Sequence, residues 1–296
     1  ESGNLIASPS NSPENTPKNV MKLTGGRESE VAVNATMDFA IAKEVLTNLI
    51  SAAEETGLYA EKINDWKNIL KSIPPYQINS DGAIKEWMHD FYEDNYEHRH
   101  HSHLYPVFPG TEITEHKDSE LFKAFEKALE KRLAYGLKDQ SGWSMTYMAN
   151  IFARMQKGED ALNCLDILTR TNVMNNLLTV HNDWRRMGAA MCNDMRSAPV
   201  QIDANMGITA AMTEMIITSS KDHISILPAL PKRWKKGVAG PFLTCGGLEV
   251  SLKWNQDMKE GEVHINCNST CNDIYLLLPE SAKFIQNNDS KIKIES

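Results

Sequence analysis

The spacing of apolar residues changes once along the chain, and that change limits the fold more than any other feature. Up to about residue 220 the repeat is helical. Ala42, Val45, Leu46, Leu49, Ile50 and Ala53 recur every three or four positions, which makes one apolar stripe on a 3.6-residue helix. Thr36 is placed to cap this helix and Gly57 to stop it. Leu121, Phe122, Phe125, Ala128, Leu129 and Leu133 repeat the pattern and stop at Gly136. Two close helices are expected over about 142–157 and 159–170, joined at Gly158. Another is expected over about 206–220, with Ile208, Ala211, Met212, Met215 and Ile216 on one face. After residue 221 the period falls to two: Leu248, Val250, Leu252 and Trp254 alternate with Glu249, Ser251 and Lys253, as in a half-buried strand. Val263 with Ile265, residues 274–278, and Ile292 with Ile294 give further short strands, and the Pro/Gly/Lys-rich stretch 228–240 reads as a link. The expectation is an α+β chain. Paired helices form a toroid or bundle over residues 1–221, and a small antiparallel β domain follows over 222–296.

Composition removes several functions. With 41% hydrophobic and 24% charged residues in 296, the chain has material for an ordinary globular core. A net charge of −8 opposes a phosphate-tracking surface, so nucleic acid is not an expected partner. No apolar run approaches the roughly 20 residues needed to cross a bilayer. Cys164, Cys192, Cys245, Cys267 and Cys271 include no CxxC pair, which favours buried thiols over a disulfide framework or a zinc site. The chain opens without Met or an apolar leader, and reads either as processed or as the tail of a longer protein.

Three unusual loops carry the candidate chemistry. In the first, residues 8–15, Pro9 and Pro13 fix the backbone around Glu14. A carboxyl on a rigid loop can act as a general acid if burial raises its pKa, although this stretch alone favours a solvated Glu. The second runs from Glu97 through His98, Arg99, His100, His101 and His103. Recognition of a polyol's hydroxyls ranks first for it, a core role with satisfied nitrogens second, and a metal third, because the spacing matches no zinc pattern. The third, residues 199–207, places Asp203 just before a helix N-terminus, where the dipole favours an ionised carboxylate suited to a base or an orienting role. Local evidence alone favours an N-cap at Asp203 or Asn205. One protonated and one ionised carboxyl together are the pair that glycoside hydrolysis requires.

Seven blocks in order carry a resemblance: PSNSPEN (9–15), DGAIKEW (81–87), HRHHSHLYPVFPG (98–110), GWSMTY (142–147), NLLTVH (176–181), PVQIDANMG (199–207) and LPALPKRW (227–234). In these the chain resembles glycoside hydrolase family 95, the inverting α-L-fucosidases and related α-L-galactosidases. The resemblance implies an incomplete (α/α)6 barrel followed by the C-terminal β domain. It implies Glu14 as general acid and Asp203 as the carboxylate that assists water attack. Arg99 and His100 fall in the stretch that contacts the sugar, and Trp143, His181 and Asn205 are carried with their blocks as substrate contacts. A fucosylated or galactosylated glycan is the implied substrate, no cofactor or metal is expected, and the oligomeric state is left open.

Two departures from the family pattern follow. An Asn-x-Asn pair that relays between Asp203 and the attacking water lies upstream of the block with which this chain begins, so the chain is expected to be the later part of a longer protein. Residues 182–198 are an insertion between the His181 and Asp203 blocks. It contains Asp183, Trp184, Arg185 and Arg186, and Met187, Ala189, Ala190, Met191 and Cys192 suggest that part of it packs. It is expected to fold over the barrel mouth, with Asp183 or Trp184 near Glu14 and Asp203. The competing readings are a truncated, inactive carbohydrate-binding fragment and, more weakly, a His-cluster metallohydrolase. Three Asn-x-Ser/Thr sites, at Asn34, Asn268 and Asn288, and the glycan substrate lean towards an extracellular or periplasmic location.

Overall fold

The computed structural model describes residues 3–27, 29–115, 117–190, 198–220, 223–267 and 274–279. The chain divides into two compact units, Glu1–Met215 and Ile216–Ser296, where a helix passes directly into a strand rather than at residue 221.

The first unit contains α1 (Val20–Leu23), α2 (Thr36–Thr56), α3 (Ile63–Ser72), α4 (Ser119–Ala134), α5 (Gly142–Arg154), α6 (Gly158–Thr171) and α7 (Ile202–Ile216). α2 ends at Gly57 in the left-handed conformation, as expected. Thr36 does not cap it. The flanking residue is Ala35, and the Thr36 hydroxyl opens the helix by donating to Lys85 O (2.5 Å). Of its expected stripe only Ile50 and Ala53 are buried, whereas Val45 and Leu49 are exposed, and the helix buries Phe39 and Ala40 besides. α3, which pairs with α2, carries Ile63, Trp66, Ile69 and Leu70 at helical spacing, yet none of its residues is fully buried.

α4 is capped by the Asp118 side chain, which accepts from Leu121 N (2.9 Å), and buries Phe122, Phe125, Ala128 and Leu129. Arg132 lies buried on the same helix, and the site below explains it. α5 opens with a capping box between Ser141 and Ser144 and is buried along almost its whole length, as a helix with apolar residues on every side must be. It packs on α6 and on α7. Gly207 lets α7 approach α5, since a Cβ there would lie 2.4 Å from Thr146 Oγ1. Asn150 Nδ2 donates to Gly207 O (3.1 Å), and Arg154 grips Glu214 with two hydrogen bonds of 2.6 and 3.0 Å.

The second unit holds two small sheets. β3 (Lys236–Leu243), β4 (Leu248–Asn255) and β5 (Glu260–Cys267) form an antiparallel meander. β1 (Ile217–Ser219) and β2 (His223–Ile226) are antiparallel, but β6 (Tyr275–Leu277) joins β2 in parallel, which departs from the all-antiparallel expectation. β4 buries Leu248, Val250, Leu252 and Trp254 and turns Glu249, Ser251 and Lys253 outward. Leu248, Val250 and Leu252 meet Ile217, Ile224 and Ile226 in one apolar cluster. β3 takes up the last five residues, 236–240, of the stretch read as a link. Gly237, Gly240 and Pro241 hide its alternation, and its pairing with β4 slips between Ala239 and Phe242. The strand expected at Ile292 and Ile294 lies outside the described residues.

Candidate active site

Ser12, Pro13, Glu14 and Asn15 form a tight turn, closed by Asn15 N donating to Ser12 O (2.9 Å). Pro13 holds its second position and Glu14 its third, with φ 56°, the pattern of a type II turn that normally asks for Gly or Asn there. Ser12 and Asn15 point inward and are 1% exposed, whereas Glu14 projects outward with its side chain 56% exposed. The burial that the sequence reading required of Glu14 is therefore absent. The turn sends its neighbours into the core and Glu14 away from it.

Glu14 is met by the HRHH stretch. Arg99 donates to Glu14 Oε2, and His100 Nε2 lies 3.6 Å from the same oxygen. The backbone of this stretch is fixed by His100 N donating to His98 Nδ1 (3.1 Å). Desolvation, reinforced by the cations Arg132 and Arg99, pushes His98 down to about 3 and His100 down to about 4. Both rings are thus neutral at ordinary pH, each with one donor and one acceptor nitrogen, a pairing suited to hydroxyls. His101 and His103 are buried and also held well below the usual histidine range by desolvation and Arg132. They are core residues, but not with satisfied nitrogens as expected: both His101 nitrogens and His103 Nδ1 have no hydrogen-bond partner among the described residues. No group of three His, Cys, Asp or Glu side chains among the described residues is arranged to hold a metal.

The aromatic side of the site comes from α5. His100 lies against Trp143 (ring centroids 5.2 Å), and Trp143 stacks on Tyr147 (4.8 Å). Tyr147, not singled out in the sequence, is buried and donates to Phe108 O (2.8 Å). The start of α5 is pressed against the His181 segment. Gly142 N donates to His181 O (3.0 Å), and a Cβ at Gly142 would sit 2.5 Å from Val180 O. His181 itself is near enough to His100 to act on it electrostatically. Glu14, Arg99, His100, Trp143 and His181 thus form one connected group.

Asp203 stands apart from that group in its bonding. α7 starts four residues earlier than expected, so Asp203 lies in its first turn rather than before it, and its side chain is exposed. No hydrogen bond or ion pair among the described residues links it to Glu14. The connection between their segments is Gln201, whose Oε1 accepts from Trp143 N (2.6 Å). Asn205 lies inside α7 and is not its cap. Its Oδ1 accepts from Thr179 N (2.9 Å) and Oγ1 (2.8 Å), and its Nδ2 donates to Leu177 O (2.8 Å).

The described parts of the insertion are 182–190 and 198, and the bonds of 183–190 run within the loop, to the end of α6 and to Leu137. Asp183 is buried and accepts from Arg185 N (3.0 Å) and Gly188 N (2.9 Å), so both oxygens hold the loop itself. Trp184 Nε1 donates to Val173 O (3.1 Å), just beyond α6, and Arg185 lies over the indole and donates to Arg170 O (2.9 Å). No hydrogen bond, ion pair or ring contact joins Asp183 or Trp184 to Glu14. Ala189 and Ala190 pack, as expected, and Ala190 N donates to Leu137 O (2.8 Å). Met191 and Cys192 lie outside the described residues. Asn34 is a poor glycosylation acceptor, because its buried amide takes a bond from Ala7 N (2.9 Å) and gives one to Met88 O (3.3 Å). Asn268 and Asn288 lie outside the described residues. No described helix is long and apolar enough to cross a membrane.

Two family models divide the chain between them. Residues 1–216 match the Glycosyl hydrolase family 95 catalytic domain, and residues 218–296 match the Glycoside hydrolase family 95, C-terminal domain. The chain belongs to glycoside hydrolase family 95. Among its relatives, Alpha-L-fucosidase 2 of Arabidopsis thaliana is 37% identical over 82% of this chain and 28% of its own length. Probable alpha-fucosidase A of Aspergillus niger is 27% identical over 86% of this chain and 31% of its own length. The same-named protein of Aspergillus oryzae is 25% identical over 86% of this chain and 35% of its own. This family 95 chain therefore spans about a third of the length of the relatives it matches.

Proposed function

We propose that this chain carries the general acid and a sugar-contacting wall of a glycosidase that removes terminal α-L-fucosyl or α-L-galactosyl groups with inversion, acting outside the cell or in a periplasm. The observation that carries the reading is the turn at Ser12–Pro13–Glu14–Asn15, which aims Glu14 at Arg99 and His100 beside the Trp143 face. Family membership and the fucosidase names of the relatives support the substrate class.

In this mechanism the bound glycan covers the exposed Glu14 and supplies the desolvation that the open turn lacks, and Glu14 then donates its proton to the glycosidic oxygen as the bond to the anomeric carbon breaks, the leaving sugar departing as an alcohol. Asp203 orients, through an upstream Asn pair, the water that attacks the opposite face. The two carboxyls then stand roughly 6.5–9.5 Å apart, leaving room for that water. Trp143 offers a flat apolar surface to the sugar ring, and neutral His100 with Arg99 reads its hydroxyls.

The test uses this chain alone and together with any sequence that precedes Glu1 in its gene. L-Fucose or L-galactose should be released with the β anomer appearing first by NMR. Glu14→Gln and Asp203→Asn should each lower turnover by at least about 100-fold while sugar binding survives, on the scale of losing one proton-transfer group. Release of the α anomer first overturns inversion. Sugar binding without release in either form favours a binding module instead.

A further inference from the structure

Glu86 is a side chain that the mechanism above does not use and that the sequence reading passed over inside its DGAIKEW block. It is 3% exposed and lies on the inward side of the turn that carries Glu14. Its Oε1 accepts from Ser12 Oγ (2.6 Å), and its Oε2 accepts from Asn15 Nδ2 (2.8 Å) and Arg132 Nη2 (2.6 Å). Arg132 Nη1 donates to Asn95 O (2.7 Å), and Asn95 Nδ2 donates to Asn15 Oδ1 (3.1 Å). Glu86, Asn15, Asn95 and Arg132 thus form a closed ring of hydrogen bonds, and Asp94 Oδ1 fixes the Glu86 N–H (2.8 Å).

We propose that Glu86, gripped by Arg132, is a positioning residue for the glycosidase reaction: it staples both ends of the Ser12–Asn15 turn and so sets where Glu14 presents its carboxyl. The inference rests on the reading of Glu14 as the general acid. Its physical basis is that Glu14 keeps a left-handed backbone, which a non-glycine residue holds only when its surroundings over-determine it. Here the surroundings are the two bonds from Glu86 to Ser12 and Asn15. A buried ion pair seldom adds net stability, because desolvating both charges offsets their attraction. Burial is also the largest influence on Glu86, pushing its carboxyl up to about 7 against the opposing pull of Arg132 and Ser12. What the pair supplies is direction: rigid acceptors placed under residues 12 and 15.

The test compares two substrates in the full-length protein. A fucosyl alkyl or oligosaccharide substrate needs its leaving oxygen protonated, whereas α-L-fucosyl fluoride does not. Glu86→Ala should cut kcat on the first by on the order of 100-fold, the scale of a displaced catalytic group, with KM nearly unchanged and only a few-fold loss on the fluoride. Glu86→Gln keeps one oxygen to accept from Asn15 and Arg132 and turns the other into an amide that can donate to Ser12 Oγ, so it should recover most of that loss. Hydrogen exchange at the Asn15 amide should accelerate in Glu86→Ala while amides of α5 stay protected. Should Glu86→Ala not fold, Asn15→Ala and Ser12→Ala cut the same staple from the turn side and must show the same substrate split. Equal losses on both substrates, or an unchanged Asn15 exchange rate in a folded variant, overturn the proposal. Glu14→Ala is the control. If it shows no preference for the fluoride, the reading of Glu14 as acid fails, whereas a preference there without one in Glu86→Ala refutes the staple alone.

Discussion

The β3–β4–β5 sheet and the turn beneath Glu14 are both held by buried side chains, but by opposite kinds. In the sheet the inward residues Leu248, Val250 and Leu252 are apolar and meet Ile217, Ile224 and Ile226. Apolar attraction follows area and has no direction, so such a core tolerates swaps that conserve volume. Under Glu14 the buried atoms belong to Ser12, Asn15, Glu86 and Arg132, and each bond has a length and a line. That arrangement fails when one member is lost, but while intact it fixes the position of a neighbouring side chain far more narrowly than packing does. A core that only has to cohere can be oily, whereas one that has to aim a carboxyl benefits from polar contacts.

The largest expected effect breaks the sheet side of the comparison. Val250→Asp places a charge where no polar partner waits, and should cost about 4–5 kcal/mol, unfolding the β unit well before the helical unit in calorimetry. Val250→Ile should cost less than about 1.5 kcal/mol. Next comes the polar ring. Arg132→Met leaves Glu86 buried without its cation and should cost about 3–5 kcal/mol in denaturant titration. The double variant Glu86→Leu with Arg132→Met should regain most of that stability yet not the turnover. Recovery of both would mean that packing alone positions Glu14.

The smallest effect is one of pH. His98, His100, His101 and His103 are all held below the ordinary histidine value of about 6.5, chiefly by desolvation. On acidification below that value the unfolded chain takes up protons that the fold refuses, so stability falls. Glu86 acts in the opposite sense: raised to about 7, it takes up its proton in the folded state first and favours folding as pH drops from 7 towards its unfolded value. Asp94, also raised by burial, acts in the same sense as Glu86, but four histidines oppose these two carboxyls, so the Tm of the helical unit should fall by a few degrees between pH 6.5 and 5, and Glu86→Gln should make the fall steeper. A Tm that rises over that interval contradicts the burial assigned to the histidines.

How much of this could be read in advance depended on where each residue's partners lie. β4 was legible because its alternation is local, and α4 because its stripe and its stop at Gly136 fall within one short segment. β3 was hidden, since Gly237 serves as a seat for the Trp254 ring and Gly240–Pro241 interrupts the pairing. α7 started early because residues 202–205 read as loop chemistry, while Asn205 in fact serves the Thr179 segment 26 residues away. Glu14 and the HRHH stretch could be named from the sequence because they share a recognisable pattern. Glu86 could not, because its partners Arg132, Asn15 and Ser12 are 46, 71 and 74 positions distant. A buried Arg on an apolar helix face was the one local sign that a carboxylate had to be waiting somewhere.

The left-handed backbone at Glu14 has a further consequence for how this chain trades durability against work. A side chain other than Gly or Asn in that conformation costs on the order of 1–3 kcal/mol, and the protein carries that burden at an exposed position where glycine would fit freely. Glu14→Gly should therefore yield a sturdier molecule that no longer turns over, and Glu14→Asn should come close to it. Selection for heat resistance alone would drift towards either residue and discard the reaction. The glutamate at this position then marks a site where the chain is kept less stable than its own backbone allows.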